Sequence, residues 1–250
     1  MSDHRVYSEK LDINTQNTMN FYNDRAKRAE SMDCPYTAVL LGDQNPKHAE
    51  QWNIFEKEHI LPELALDENS RVLEIGCGMG RWAETVIPMV KCYRGVDFSS
   101  GMIETAKSRC VFEGRDYEFI NASFQQAVTD PGLFGGIKFD RVIIGGVCMY
   151  INDCDMNMCI SGLNGLLAEE CRMFLTETVA VETRLTLNEC PSEALKTTYD
   201  VIYRTPSEYN EYYKALLNNG FRIKKQDYLP HLNNEAAFSE TDRWYTIFER

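Results

Sequence analysis

The residues with the most chemical content run Val72-Leu73-Glu74-Ile75-Gly76-Cys77-Gly78-Met79-Gly80-Arg81-Trp82. An apolar run, a glycine turn and a helix start follow one another. Glycines tolerate positive φ and let a ligand lie close against the backbone, and an open α/β sheet binds nucleotides just beyond the carboxyl ends of its strands. The spacing is G-x-G-x-G, not the G-x-G-x-x-G of a dinucleotide site. Glu74 stands immediately before the turn, where a carboxylate repels a pyrophosphate and suits an ammonium group. Asp97 follows Gly76 by 21 residues, at the end of the next apolar run, where a carboxylate can accept both ribose hydroxyls. Phe98 is next to it and can stack on a base. The pattern describes a nucleoside site for a ligand that carries an ammonium and no phosphate.

Four segments, in order between about Arg71 and Leu167, resemble the class I S-adenosylmethionine-dependent methyltransferase family. VLEIGCGMGRW resembles the first motif, GVDFSSGMI the second and FINASF the third. FDRVIIGGVCMYI resembles the segment after the fourth core strand, which lines the methyl-transfer site. The resemblance implies S-adenosylmethionine as cofactor and S-adenosylhomocysteine as product. It assigns cofactor contacts to Glu74, Gly76, Cys77, Gly78, Asp97, Phe98, Met102 and Gly145. The third motif departs from the family: Ala122 occupies the place of an Asp that often binds the adenine amino group. The Ala122 carbonyl, the Ser123 hydroxyl and the Phe124 amide are the available substitutes. Phe21-Tyr22-Asn23-Asp24-Arg25-Ala26 resembles the lid of small-molecule members, with Tyr22 or Arg25 closing over the methionine end and Arg25 pairing with its carboxylate.

Methyl transfer from a sulfonium is an in-line displacement that needs alignment above all, and a base when the acceptor is a hydroxyl or a protonated amine. The candidate catalytic residues are His231 in the YLPHLNN loop, as base or substrate ligand, Tyr150, from the segment that lines the site, pointing into the pocket, and Glu177 at the end of the fifth core strand, contacting substrate. Tyr199, Tyr203 and Arg204, in the long 178–204 connection, are candidate substrate contacts. His48 and His59 read as helix-surface residues, and the stripe Tyr209, Tyr212, Tyr213, Leu216 as helix packing. No Cys/His spacing fits a metal site.

Positioning these groups requires alternating strands and helices. Strands are expected at 71–75, 92–97, 117–121, 139–146, 171–177, 221–229 and 243–249, and helices at 16–31, 46–61, 80–90, 99–110, 153–169 and 205–219. Asp153 is expected to cap one helix and Thr205, with Glu208, another. Residues 1–15 read as a polar lead-in, Gly42-Asp43 as a loop, and 178–204 as irregular or partly helical. The fold class that follows is α/β: a doubly wound, mostly parallel seven-stranded sheet with helices on both faces, an antiparallel edge strand near the C-terminus and an N-terminal helical cap. One domain over 1–250 is expected, with a cap at 1–65, a cofactor-binding core at 66–177, and a substrate-side insertion with the final strand pair at 178–250.

Composition narrows the partners. The formal charge of −12 disfavours nucleic acid. The nine cysteines are odd in number and scattered, as in a reduced, cytoplasmic protein. No segment is apolar over the length a bilayer requires, and the polar start is no signal peptide. A small-molecule acceptor fits the modest additions to the core. FYNDRA, LLGDQNP and YRTPSEY resemble bacterial methyltransferases of surface-polysaccharide and specialised-metabolite pathways, which implies a sugar, nucleotide-linked or phospho-group acceptor. The alternatives are a non-catalytic S-adenosylmethionine-binding regulator or partner subunit and, third, an NAD-dependent oxidoreductase.

Overall fold

The computed structural model describes residues 4–40, 45–192, 195–232 and 240–250. The Gly42-Asp43 loop and most of LLGDQNP lie outside the described residues. The chain opens with strand β1 (Arg5–Tyr7) and helices α1 (Thr15–Arg28), α2 (Thr37–Leu40) and α3 (Pro46–Phe55). Alternation follows: β2 (Arg71–Ile75), α4 (Ala83–Val86), β3 (Cys92–Asp97), α5 (Ser100–Arg109), β4 (Asp116–Asn121), α6 (Phe124–Thr129), β5 (Phe139–Gly145) and α7 (Asp153–Gly162). The rest is β6 (Leu167–Ala180), β7 (Leu185–Ser192), β8 (Thr197–Tyr203), α8 (Pro206–Leu217), β9 (Arg222–Tyr228) and β10 (Thr241–Glu249).

The main sheet has seven strands in the order β4-β3-β2-β5-β6-β10-β9. Five strands run parallel, and β10 is antiparallel to both its neighbours. The apolar runs of β2 and β5 are buried on both faces, as covered parallel strands must be. One core lies under α6, α7 and α8, where Tyr209 and Tyr213 stack with Trp244. The other lies under α3 and α4, around Trp52, Trp82, Tyr93 and Phe174. Thr205 and Glu208 form the expected reciprocal cap of α8.

Several expectations are corrected. Most of the described residues of 178–204 are strand, neither irregular nor helical: β6 continues to Ala180, and β7 and β8 pair antiparallel in a second sheet of order β1-β7-β8. Part of the polar lead-in is therefore a strand. Alternation in this segment is hidden by a register shift between Leu187 and Cys190, with Glu189 at φ 48°, and by Asp200, which is buried to accept the Glu189 amide. Helix α7 ends at Gly162, not 169, because Gly162 and Gly165 hold a helix weakly. The helix expected over 80–90 shrinks to α4 and a 3-10 turn containing Pro88, which lacks an amide donor. Asp153 caps nothing: Asn152 precedes α7, and Asp153 instead meets Arg204 at 2.6 Å and Arg184 at 3.0 Å.

The loop after β5 is held by two buried charges. Glu177 accepts the amides of Val147, Cys148 and Met149 at 3.2, 2.8 and 3.2 Å. Arg204 donates to the carbonyls of Cys148 and Ile151 at 2.8 and 2.6 Å. Both are positioning residues. Arg204 is fully buried, so it is not the substrate contact expected of it. Glu177, expected as a substrate contact, lines the cavity with its carboxylate bonded to backbone amides. Burial raises its pKa to about 7 against the pull of those amides.

Arg204→Met is expected to destabilise the fold by about 3 kcal/mol, because it strips the half-buried Asp153 of one partner and the carbonyls of Cys148 and Ile151 of their donor; a urea midpoint unchanged from wild type would contradict this. Glu177→Ala is expected to cost about 2 kcal/mol and to speed amide hydrogen exchange at Val147, Cys148 and Met149. Wild-type exchange rates there would show that the carboxylate does not hold the loop.

Candidate active site

A cavity of about 1250 Å³ opens at the carboxyl ends of β2, β3, β5 and β6. Its first part is the glycine turn. Gly76 has φ +76°, and a Cβ there would lie 2.2 Å from Val147 Cγ2, so the loop after β5 closes directly against it. Gly78 has φ +51° and faces Val39 of α2, which a Cβ would meet at 3.0 Å. Only glycine meets both conditions.

Two carboxylates flank this turn. The oxygens of Asp97 accept the amides of Gly78 and Ser99, each at 2.9 Å, and burial raises its pKa to about 6. Glu74 receives the Tyr93 hydroxyl, and burial raises its pKa to about 8. Glu74, Gly76, Cys77, Gly78, Asp97, Phe98, Met102, Ala122, Ser123, Phe124 and Gly145 all line the cavity, so topology brings the expected cofactor contacts together. Ser123 also caps α6, where its hydroxyl accepts the Gln126 amide. That leaves the hydroxyl proton for a ligand.

The expected lid is present, but its contacts differ. Tyr22 lines the cavity, edge-on to Phe98. Arg25 does not line it: the side chain is fully buried and donates to the carbonyls of Ala38 and Thr37, joining α1 to α2. It is therefore not placed to pair with a cofactor carboxylate. Asn23, which the sequence reading passed over, ties the lid to the core by accepting from the Ser99 hydroxyl and the Gly101 amide.

Across the cavity, Tyr150, Tyr199 and Tyr203 line a common wall with Tyr22. The Tyr22 hydroxyl donates to that of Tyr150 at 2.8 Å, and Tyr150 hydrogen-bonds to Tyr199. His231 also lines the cavity, and its Nε2 lies 3.0 Å from Asp242. His48 is not a surface residue but a cavity one, edge-on to Trp52. Trp52, Arg81, Asp242 and Arg243 also reach the cavity and were missed. Arg81, next to the third glycine, pairs with Glu56 at 2.6 Å, and Arg243 lies over Trp52. Only Arg81 carried a sequence signal, its place beside the glycine turn. Asp242 and Arg243 come from β10, which strand pairing brings to this rim, and Trp52 from α3. Among the described residues no His/Cys/Asp/Glu group could hold a metal, and no helix is long and apolar enough to cross a membrane.

Residues 72–170 match the family of proteins described as a methyltransferase domain. No curated protein sequence gives a significant match. Among solved structures, the chain is similar to phosphoethanolamine N-methyltransferase 1 of Haemonchus contortus in complex with phosphoethanolamine and S-adenosylhomocysteine. The TM-score is 0.67 at 17% identity, over 94% of this chain and 49% of that one. It is also similar to magnesium protoporphyrin IX methyltransferase of Synechocystis PCC 6803 with bound S-adenosylhomocysteine, with TM-score 0.61 and 18% identity over 94% and 99% of the two chains. A third is an S-adenosylmethionine-dependent methyltransferase of Leishmania major, with TM-score 0.61 and 16% identity over 91% and 82%. Residues 72–170 thus match a methyltransferase domain, and the sheet order gives the chain the fold of these S-adenosylmethionine-dependent methyltransferases.

Proposed function

We propose that the protein transfers a methyl group from S-adenosylmethionine to an oxygen or nitrogen of a small molecule. The observation that carries this reading is one continuous cavity joining Glu74 and Asp97 to the tyrosine wall. The residues fit the cofactor: carboxylates suit an ammonium and ribose hydroxyls, and the glycine turn leaves room for close approach. Asp97 would hold the ribose, Glu74 the ammonium, and Ala122, Ser123 and Phe124 the adenine. The bound cofactor supplies a methyl already activated by its sulfonium. A C–S bond breaks, an O–C or N–C bond forms, and the acceptor gives up its proton. His231, oriented by Asp242, is the candidate to receive it. Two of the similar structures, by their own descriptions, act on small molecules, phosphoethanolamine and magnesium protoporphyrin IX. The modest additions to the core agree with an acceptor of that scale, and a sugar, nucleotide-linked or phospho-group intermediate is the proposed range.

Calorimetry with S-adenosylhomocysteine is expected to give micromolar binding, about −8 kcal/mol, weakened at least tenfold by Asp97→Ala. Absence of binding would overturn the reading, and binding without turnover of any small-molecule acceptor would favour a non-catalytic subunit. The pH dependence has a defined sign. Asp97 and Glu74, raised to about 6 and about 8, are protonated below those values and lose the charge that binds the ligand. Affinity is therefore expected to fall as pH drops from 8 to 5, with proton release on binding near pH 7. Asp97→Asn is expected to flatten the part below about 6; a flat wild-type profile would contradict the assignment.

A further inference from the structure

Four phenols from three stretches of chain form one wall of the cavity: Tyr22 of α1, Tyr150 of the turn after β5, and Tyr199 and Tyr203 of β8. Three of the hydroxyls form a chain, from Tyr22 to Tyr150 and from Tyr150 to Tyr199. The ring of Tyr150 is nearly perpendicular to those of Tyr22 and Tyr199, at 81° and 80°, so the hydroxyls meet from different directions. Burial holds all four above the ordinary phenol pKa, so each is a neutral group that both donates and accepts. That is the hydrogen-bonding pattern of an alcohol.

Among the described residues, the basic groups that line the cavity are His48, Arg81, His231 and Arg243, and none belongs to the elements that carry the tyrosines. Arg25 and Arg204, the arginines closest in sequence to Tyr22 and Tyr203, are fully buried and bonded to carbonyls and to Asp153. The arginines that do line the cavity come from other elements: Arg81 is paired with Glu56, and Arg243 lies over Trp52. Asp155, near the same wall through Gln125, adds negative charge. An anionic head group seated among the tyrosines would lose its water without gaining a counter-charge.

We infer that the tyrosine wall is the acceptor-recognition site and that it takes a neutral, polyhydroxylated group of the kind a sugar ring presents, not a phosphate- or carboxylate-bearing head. This rests on the methyl-transfer reading and narrows its acceptor. Three of the four tyrosines come from α1 and β8, which lie outside the matched residues, so specificity rests largely on the additions to the core.

The test titrates the S-adenosylhomocysteine-loaded protein with the methyl glycosides of glucose, galactose and rhamnose, and with glucose 6-phosphate and phosphoethanolamine. Methylation of the same compounds is measured in parallel. Neutral glycosides are expected to bind and be methylated at least tenfold better than either phosphate ester. Tyr199→Phe and Tyr203→Phe, which keep the ring, are expected to raise KM about tenfold while the S-adenosylhomocysteine Kd stays at the wild-type value. Preference for a phosphate ester, no binding of any neutral glycoside, or wild-type KM in both variants would overturn the inference. Failure to bind S-adenosylhomocysteine at all would remove the methyl-transfer reading beneath it, whereas cofactor binding with a phosphate preference removes the inference alone.

Discussion

The site depends on how the loop after β5 is gripped. A short irregular segment inside a protein presents both amides and carbonyls that need partners. Here Glu177 takes three amides and Arg204 takes two carbonyls, one charge on each side of residues 147–151. The pair fixes Val147 against Gly76 and delivers Tyr150 to the cavity. Arg204 is itself tied to Asp153, where burial pushes the carboxyl up but Arg204 and Arg184 outweigh it and hold it below its ordinary range. Loop, helix α7 and the end of β8 therefore share one buried network.

That network also joins the two parts of the cavity. The parallel strands supply the glycine turn and the carboxylates, which any nucleoside site at this topological position requires. The second sheet and α1 supply Tyr199, Tyr203 and Tyr22, and the loop after β5 supplies Tyr150. Arg204 lies at the end of β8, so the same residue that steadies the domain's own loop anchors the strand bearing Tyr199 and Tyr203. Charge inside the cavity is kept low in the free protein: burial raises the pKa of Glu74, Asp97 and Glu177 alike. A ligand bringing positive charge and hydroxyl donors relieves that cost, which links binding to proton release.

Much of this was legible in the residues. Covered parallel strands appear as apolar runs, so β2, β3 and β5 could be read directly. The glycine spacing with Glu74 and Asp97 marked the nucleoside site because each residue type answers a local demand: a tight turn, close approach, a carboxylate at a strand end. The α8 cap was equally local. The second sheet was not legible, because a register shift and the buried Asp200 break the alternation that announces a strand.

What the sequence determined by itself was therefore what short-range stereochemistry and burial dictate: the core strands, the glycine turn, the α8 cap and the residues that gather at the carboxyl ends of β2 and β3. What only the tertiary structure decided was the direction of the long charged and aromatic side chains. Arg25, Arg204 and Glu177 all stood at positions that suggested ligand contacts, yet each turns to backbone groups. A buried charge is stabilised by the nearest unsatisfied carbonyl or amide, and those partners come from segments distant in sequence. The tyrosines turn the other way for the same reason: neutral hydroxyls can satisfy one another, so they face the cavity where the arginines do not.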